Sequence, residues 1–172
     1  MELLAKKEQT CCFTGHRPSK LPWRSNENHP ECLALKRKIE EILEDLYRRG
    51  YRHFMTGMAK GCDLYFAEAV LNLRERYPDV TLEAAIPCKT QTNSWTYRER
   101  QRYMDLLEQC NIETLIQREY SRDCMLRRNR YMVERSSLLI AAYNGQGGGT
   151  KYTIQHAEKC GLEIILLPIE AM

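Results

Sequence analysis

The chain has 172 residues, 26 basic against 23 acidic, for a formal net charge of +3, with 43% hydrophobic residues, nine glycines and eight cysteines. That length and apolar content predict one domain over residues 1–172 with a packed core, and exclude collagen-like, low-complexity and disordered chains. The charge is too mild for a dedicated nucleic-acid binder, so nucleic acid is not the expected partner.

Short apolar runs alternate with longer helical patterns. The first run, Thr10 to Thr14, stops at Gly15, and a polar loop with Pro18, Pro22 and Pro30 follows. Leu35, Ile39, Ile42, Leu43 and Leu46 recur at helical spacing up to Gly50. His53–Thr56 reads as a second strand breaking at Gly57, and Leu64, Ala67, Val70 and Leu71 as a helix closed before Pro78. Val80–Ile86 is the third strand, 97–109 a helix, and Ile112–Ile116 strand-like. Met125–Arg135 is helical, and Leu138–Tyr143 is the most apolar strand candidate. A glycine cluster at 145–149, a helix from Thr150 to Lys159 and a strand from Glu163 to Leu167 complete the pattern. Strand–helix alternation without repeats or linkers predicts a Rossmann-like α/β three-layer sandwich, its mainly parallel sheet of about six strands carrying helices on both faces.

The cysteines stand at 11, 12, 32, 62, 88, 110, 124 and 160, and this spacing fits neither a zinc site nor a disulfide framework. The N-terminal stretch MELLAKKEQT has no apolar leader core, and no run reaches the ~20 apolar residues of a membrane span. A cytoplasmic chain with reduced core cysteines, no membrane partner and no metal is expected.

In open parallel sheets, ligands bind beyond the carboxyl ends of the strands. Three loops here bring glycine and polar residues to such ends. In Thr14-Gly15-His16-Arg17, Gly15 permits close backbone approach, and the planar guanidinium of Arg17 suits a phosphate. His16 is either a packing residue under the loop or a ligand contact. The second loop, Gly57-Met58-Ala59-Lys60-Gly61-Cys62-Asp63, feeds a helix N-terminus, and Asp63 is a helix cap or a ribose contact. Cys62 at a helix start would have a lowered thiol pKa, though no base adjoins it.

The third loop is Gly147-Gly148-Gly149-Thr150-Lys151, with Thr150 as N-cap. A cation at Lys151 is disfavoured in a first helical turn by roughly 0.3–1 kcal/mol unless an anion sits there. None of these loops is a Walker A or GxGxxG sequence, so NAD held in the usual dehydrogenase manner is not supported. The basic run from Arg118 to Arg135 reads as a solvated face, but Asn129 and Arg130 lie just before an apolar strand and are candidates to face the crevice. Trp95 is a candidate to stack on a base or to pack at the foot of its loop.

Phe13–Pro18, Thr56–Asp63, Arg128–Val133 and Gly147–Thr153, in that order, resemble the YpsA-like group of the bacterial SLOG superfamily, over nearly the whole chain. The resemblance implies a Rossmann-like sheet, a nucleotide or nucleotide-derived ligand and homo-oligomerisation. Two relatives suggest sharper activities. The LOG branch hydrolyses nucleoside monophosphates and carries a glutamate three residues after its Gly-Gly-x-Gly-Thr threonine; here that position is Thr153. The DprA branch binds single-stranded DNA, and its Ser-Gly-x-Ala-x-Gly-Ile-Asp string is similar to Thr56–Asp63.

The leading expectation is therefore a binding domain for a small phosphorylated ligand, a nucleotide or an ADP-ribose-type compound, in a regulatory or sensor role. The alternatives are a nucleoside monophosphate N-glycosidase-like hydrolase and a DNA-binding or protein-interaction module. No cofactor is identified, no catalytic residue is assigned, and the chain leans away from being an enzyme because Thr153 replaces the glutamate.

Overall fold

The structure is a computed structural model describing residues 5–172; Met1 to Leu4, part of the N-terminal stretch read for a leader, lie outside the described residues. Six strands form one sheet: β1 (Thr10–Gly15), β2 (His53–Thr56), β3 (Thr81–Ile86), β4 (Ile112–Leu115), β5 (Leu138–Tyr143) and β6 (Glu163–Pro168). Five helices connect them: α1 (Pro30–Arg48), α2 (Cys62–Arg76), α3 (Tyr97–Gln109), α4 (Cys124–Glu134) and α5 (Gly149–Lys159). The order is β4-β3-β2-β1-β5-β6, and every neighbouring pair is parallel.

The sheet is covered on both faces, which explains why β1 and β5 read as continuous apolar runs rather than alternating ones. Cys11 and Phe13 of β1 point into the layer of α1, α2 and α3, where Phe13 stacks on Phe66 at 4.6 Å. Cys12 faces the other layer, with Met132 and Val133 of α4 and Ile154 and Ala157 of α5. α1 follows from its apolar stripe: Leu35, Ile39, Leu43 and Leu46 are buried, and Pro30 occupies its first turn. α3 starts on a reciprocal capping box between Thr96 and Glu99.

A polar network around Glu83 is buried in the α4 layer. The Glu83 carboxylate takes hydrogen bonds from Thr114 at 2.8 Å and Tyr131 at 2.6 Å and lies 2.8 Å from Nε2 of His53. Burial pushes this carboxyl up, but its three partners outweigh that and hold it below the usual range. Tyr131 belongs to α4, so the network pins that helix to β3 and fixes which of its residues look toward the strand ends.

β1 leads through α1 to β2 on one side, while β5 enters on the other side of β1 from α4. The chain reverses direction across the sheet between β1 and β5, and the loops leaving their carboxyl ends part there. That divergence opens a crevice. All eight cysteines are free thiols and six are buried, as small core residues would be. Among the described residues, no helix is long and apolar enough to cross a membrane.

Candidate functional site

The crevice encloses a cavity of about 210 Å³. Its walls come from the end of β1 and the loop after it, from Ala59 in the loop after β2 and Asp63 in the first turn of α2, from one face of α4, and from Gly149 and Thr150 at the start of α5. Gly15 is required by packing. A Cβ there would lie 2.5 Å from the Cβ of Cys62, so only glycine lets the start of α2 close on β1. The same contact buries Cys62, and burial drives its thiol far above the ordinary value. The lowered thiol pKa expected from its place at a helix start is thereby overturned, because desolvation outweighs the helix dipole.

Arg128 is the centre of the α4 wall. Its guanidinium is buried, donating to the Gly57 carbonyl at 2.6 Å and to Asn129 Oδ1 at 2.8 Å. Gly57 makes room for it, since a Cβ at that position would stand 2.2 Å from Arg128 Nη1. Asp63 lines the same cavity, buried to 6% exposure, its Oδ2 accepting the Ala59 N–H at 3.1 Å. Burial raises the Asp63 carboxyl to about 6 in spite of the opposing pull of Arg128. Burial also lowers Arg128 from its ordinary value. Neither partner fully offsets the desolvation of the other.

Three cations reach the cavity: Arg17, Lys20 and Arg128. Among the described residues none of them forms an ion pair, whereas Arg49, Arg76 and Arg102 all do. Arg17 and Arg128 instead both aim an Nη2 at one thioether, Met125 Sδ, at 3.6 and 3.5 Å. Sulfur is a weak acceptor, so two guanidiniums converge on a place where an anionic oxygen would bind far better. Lys20 stands at the start of α5: a Cβ on Gly148 would lie 2.8 Å from its Nζ. No side chain caps α5 and no acidic residue sits in its first turn. A cation at an uncapped helix N-terminus is an arrangement that an anion between the two would reverse from unfavourable to favourable.

His16 holds the loops in register. Its Nε2 accepts the Asn144 N–H at 3.1 Å, tying the loop after β1 to the loop after β5. Its carbonyl accepts the Cys62 N–H at 3.2 Å, tying both to α2. Because a backbone amide can only donate, the imidazole is neutral with its proton on Nδ1, and burial lowers its pKa further. His16 thus combines the two roles open to it, lining the cavity while fixing its shape.

Of the other residues singled out by sequence, Thr14, Gly15, Arg17, Ala59, Asp63, Asn129, Gly149 and Thr150 meet in this one cavity. Gly57, Met58 and Gly61 stand behind its wall. Met58 is fully buried with φ 58°, a left-handed conformation for a non-glycine residue, and Gly61 passes close to the His16 carbonyl with φ 87°. Trp95 is not in the crevice. It packs edge-on against Tyr103 at 5.3 Å with the Lys60 ammonium 5.8 Å from its ring, because the loop after β3 folds toward α3. Arg130 faces away and donates to the Tyr152 hydroxyl at 2.8 Å, since it lies on the far side of α4 from Arg128. Lys151 is exposed on α5, and neither Gly147 nor Gly148 lines the cavity. Thr153 is buried and donates to the Gly149 carbonyl at 2.9 Å.

Sequence reading missed Arg128, Met125, Met132, Ser19 and Lys20. The α4 residues were legible in principle: Met125, Arg128, Asn129 and Met132 stand at i, i+3, i+4 and i+7, one helical face. Lys20 belongs to a short 3₁₀ turn, Pro18–Lys20, inside a polar loop whose path the sequence does not show.

The YpsA family model, described as the YspA SLOG family, matches residues 11–165, which includes every element forming the cavity. The chain belongs to this SLOG family. UPF0398 proteins from Bacillus thuringiensis strain Al Hakam and Bacillus cereus strain AH187 are each 30% identical over 155 residues, covering 86% of this chain and 82% of theirs. The SLOG fold extends to DNA processing protein A. The Streptococcus pneumoniae structure has TM-score 0.63 at 14% identity, with 94% of this chain and 51% of that one covered. The Helicobacter pylori structure has TM-score 0.61 at 16% identity, with 94% and 66% covered. The SLOG chain therefore spans about half of one and two thirds of the other, and at these identities the likeness is one of fold.

Proposed function

We propose that this SLOG chain binds a phosphorylated, nucleotide-derived small molecule in the crevice between β1 and β5. The observation that carries this reading is the set of three cavity cations without an ion-pair partner among the described residues, one of them, Lys20, beside an uncapped helix N-terminus. Arg128 is buried, and an unpaired buried charge is costly, whereas Arg17 and Lys20 are exposed at the cavity mouth; a ligand anion is the partner that would offset the first and engage the other two. The modest volume of the cavity, about 210 Å³, supports a small ligand over a polymer.

A thermal-shift series with inorganic phosphate, AMP, ADP-ribose and NAD tests it, with an Arg17→Ala/Lys20→Ala double variant alongside. Wild type is expected to gain melting temperature with at least one phosphorylated compound, and the double variant to lose most of that gain. Equal stabilisation of both proteins contradicts the reading.

One observation favours a second reading. The Helicobacter pylori neighbour is described by its single-stranded DNA binding mode. If this chain acts likewise, an oligonucleotide binds with an affinity that falls steeply with salt. Absence of binding at low salt removes that possibility.

A further inference from the structure

Resting on the phosphate-binding reading, we infer that the ligand is a sugar phosphomonoester, its phosphoryl group held by Arg17, Lys20 and Arg128 and a sugar hydroxyl donating to Asp63. Charge comes first. The cavity presents three cations and one carboxylate, and His16 is neutral because it accepts an amide hydrogen. When Asp63 is ionised, two positive charges remain uncompensated. They match a phosphomonoester dianion, whereas a phosphodiester link of a nucleic acid supplies only one negative charge.

Donors and acceptors come second. Oδ2 of Asp63 is occupied by the Ala59 N–H. Oδ1 has no protein partner among the described residues, although the residue is 6% exposed and lines the cavity. An ionised carboxylate only accepts hydrogen bonds. Inorganic phosphate or a simple alkyl phosphate would leave this oxygen desolvated and facing another anion. A ligand that carries a hydroxyl beside its phosphate satisfies it, and a sugar phosphate is the small-molecule class that supplies both groups at once. The same carboxylate then repels a ligand that lacks the hydroxyl, so Asp63 confers selectivity as well as affinity.

Isothermal titration with methyl phosphate, dimethyl phosphate and ribose 5-phosphate, on wild type and Asp63→Asn, tests this. Asparagine keeps an oxygen for the Ala59 N–H and turns a donor toward the cavity. Wild type should bind ribose 5-phosphate about tenfold or more tighter than methyl phosphate, the effect of one hydrogen bond to a charged acceptor. In Asp63→Asn that preference should shrink to about twofold while methyl phosphate binds tighter, because a negative charge has left the cavity. Equal affinity of wild type for methyl phosphate and ribose 5-phosphate overturns the hydroxyl assignment and leaves the phosphate site standing. Dimethyl phosphate binding as tightly as methyl phosphate overturns the dianion assignment. No binding of any of the three overturns the phosphate reading together with this inference. These wild-type comparisons decide the matter even if Asp63→Asn folds poorly.

Discussion

Nε2 of His16 accepts the backbone N–H of Asn144 at 3.1 Å, joining the two loops that diverge at the reversal point of the sheet. This bond converts a gap between strand ends into a cavity of fixed shape. His16→Ala leaves the Asn144 amide without its acceptor and should cost about 1–2 kcal/mol of stability. The cost should depend on pH. The folded pKa of His16 is lowered, chiefly by burial, so the unfolded chain takes up a proton first. The contribution of His16 is therefore present above the ordinary histidine value near 6.5 and lost as pH falls below it. Chemical denaturation of both proteins at pH 7.5 and 5.5 checks this; a pH-independent difference contradicts the neutral acceptor.

Gly57 and Arg128 are a matched pair, since a Cβ at 57 would lie 2.2 Å from Nη1 and 2.4 Å from Cζ of Arg128. Gly57→Ala must displace the guanidinium from the cavity wall. Overpacking of this kind costs about 1–3 kcal/mol, and phosphate affinity should fall along with stability. Melting curves and a phosphate titration on the variant check both effects; unchanged affinity would show that Arg128 does not contact the anion.

Asp63 gives the opposite pH sign from His16. Its carboxyl ionises near 6 in the folded chain against 3.8 as the ordinary value. Between those values the folded state holds more protons, so stability declines as pH rises from about 4 to about 6. Above that range the folded state carries an ionised buried carboxylate at a cost on the order of 3 kcal/mol. Asp63→Asn should thus stabilise the unliganded protein at pH 7.5 and leave it unchanged near pH 4. Denaturation midpoints at the two pH values check this, and stabilisation of equal size at both contradicts it.

Met125 Sδ takes contacts from both Arg17 and Arg128 at the place proposed for the phosphoryl group. Leucine has nearly the same volume and no acceptor. Met125→Leu should therefore bind inorganic phosphate about twofold to fivefold tighter, with little change in stability. Weaker binding would show that the sulfur positions the two guanidiniums rather than occupying the place of an anion.

The architecture was legible because most strands are short runs closed at or near glycine or proline, with the alternating β4 the exception, and because the helices read as apolar stripes or, in α2, as an almost wholly buried segment. In a sheet covered on both faces those patterns leave few alternatives. The strand-end loops were legible for the same reason, since Gly15 and Gly57 mark where neighbouring groups must approach closely, while Gly149 marks the start of α5. Side-chain direction was less legible. Arg128 and Arg130 look alike in a basic run, and two positions along a helix turn one into the cavity and the other onto Tyr152. Of the two readings of Trp95 the structure shows packing at its loop, against Tyr103; which helix it would meet was not legible in a polar loop after β3. The misplaced cation proved to be Lys20 rather than Lys151: a helix start can be read from sequence, but a side chain reaching it from another loop cannot.

Arg17, Lys20, Arg128 and the start of α5 are proposed to hold a phosphoryl group together. At 20.3 kDa the protein is within reach of two-dimensional amide NMR, and titration with methyl phosphate addresses both arginines and the start of α5 in a single experiment. The backbone amides of Gly149 and Thr150 and the Nε–H signals of Arg17 and Arg128 should shift together, with one common dissociation constant. Shifts confined to other parts of the surface, or none at all, would contradict that proposal.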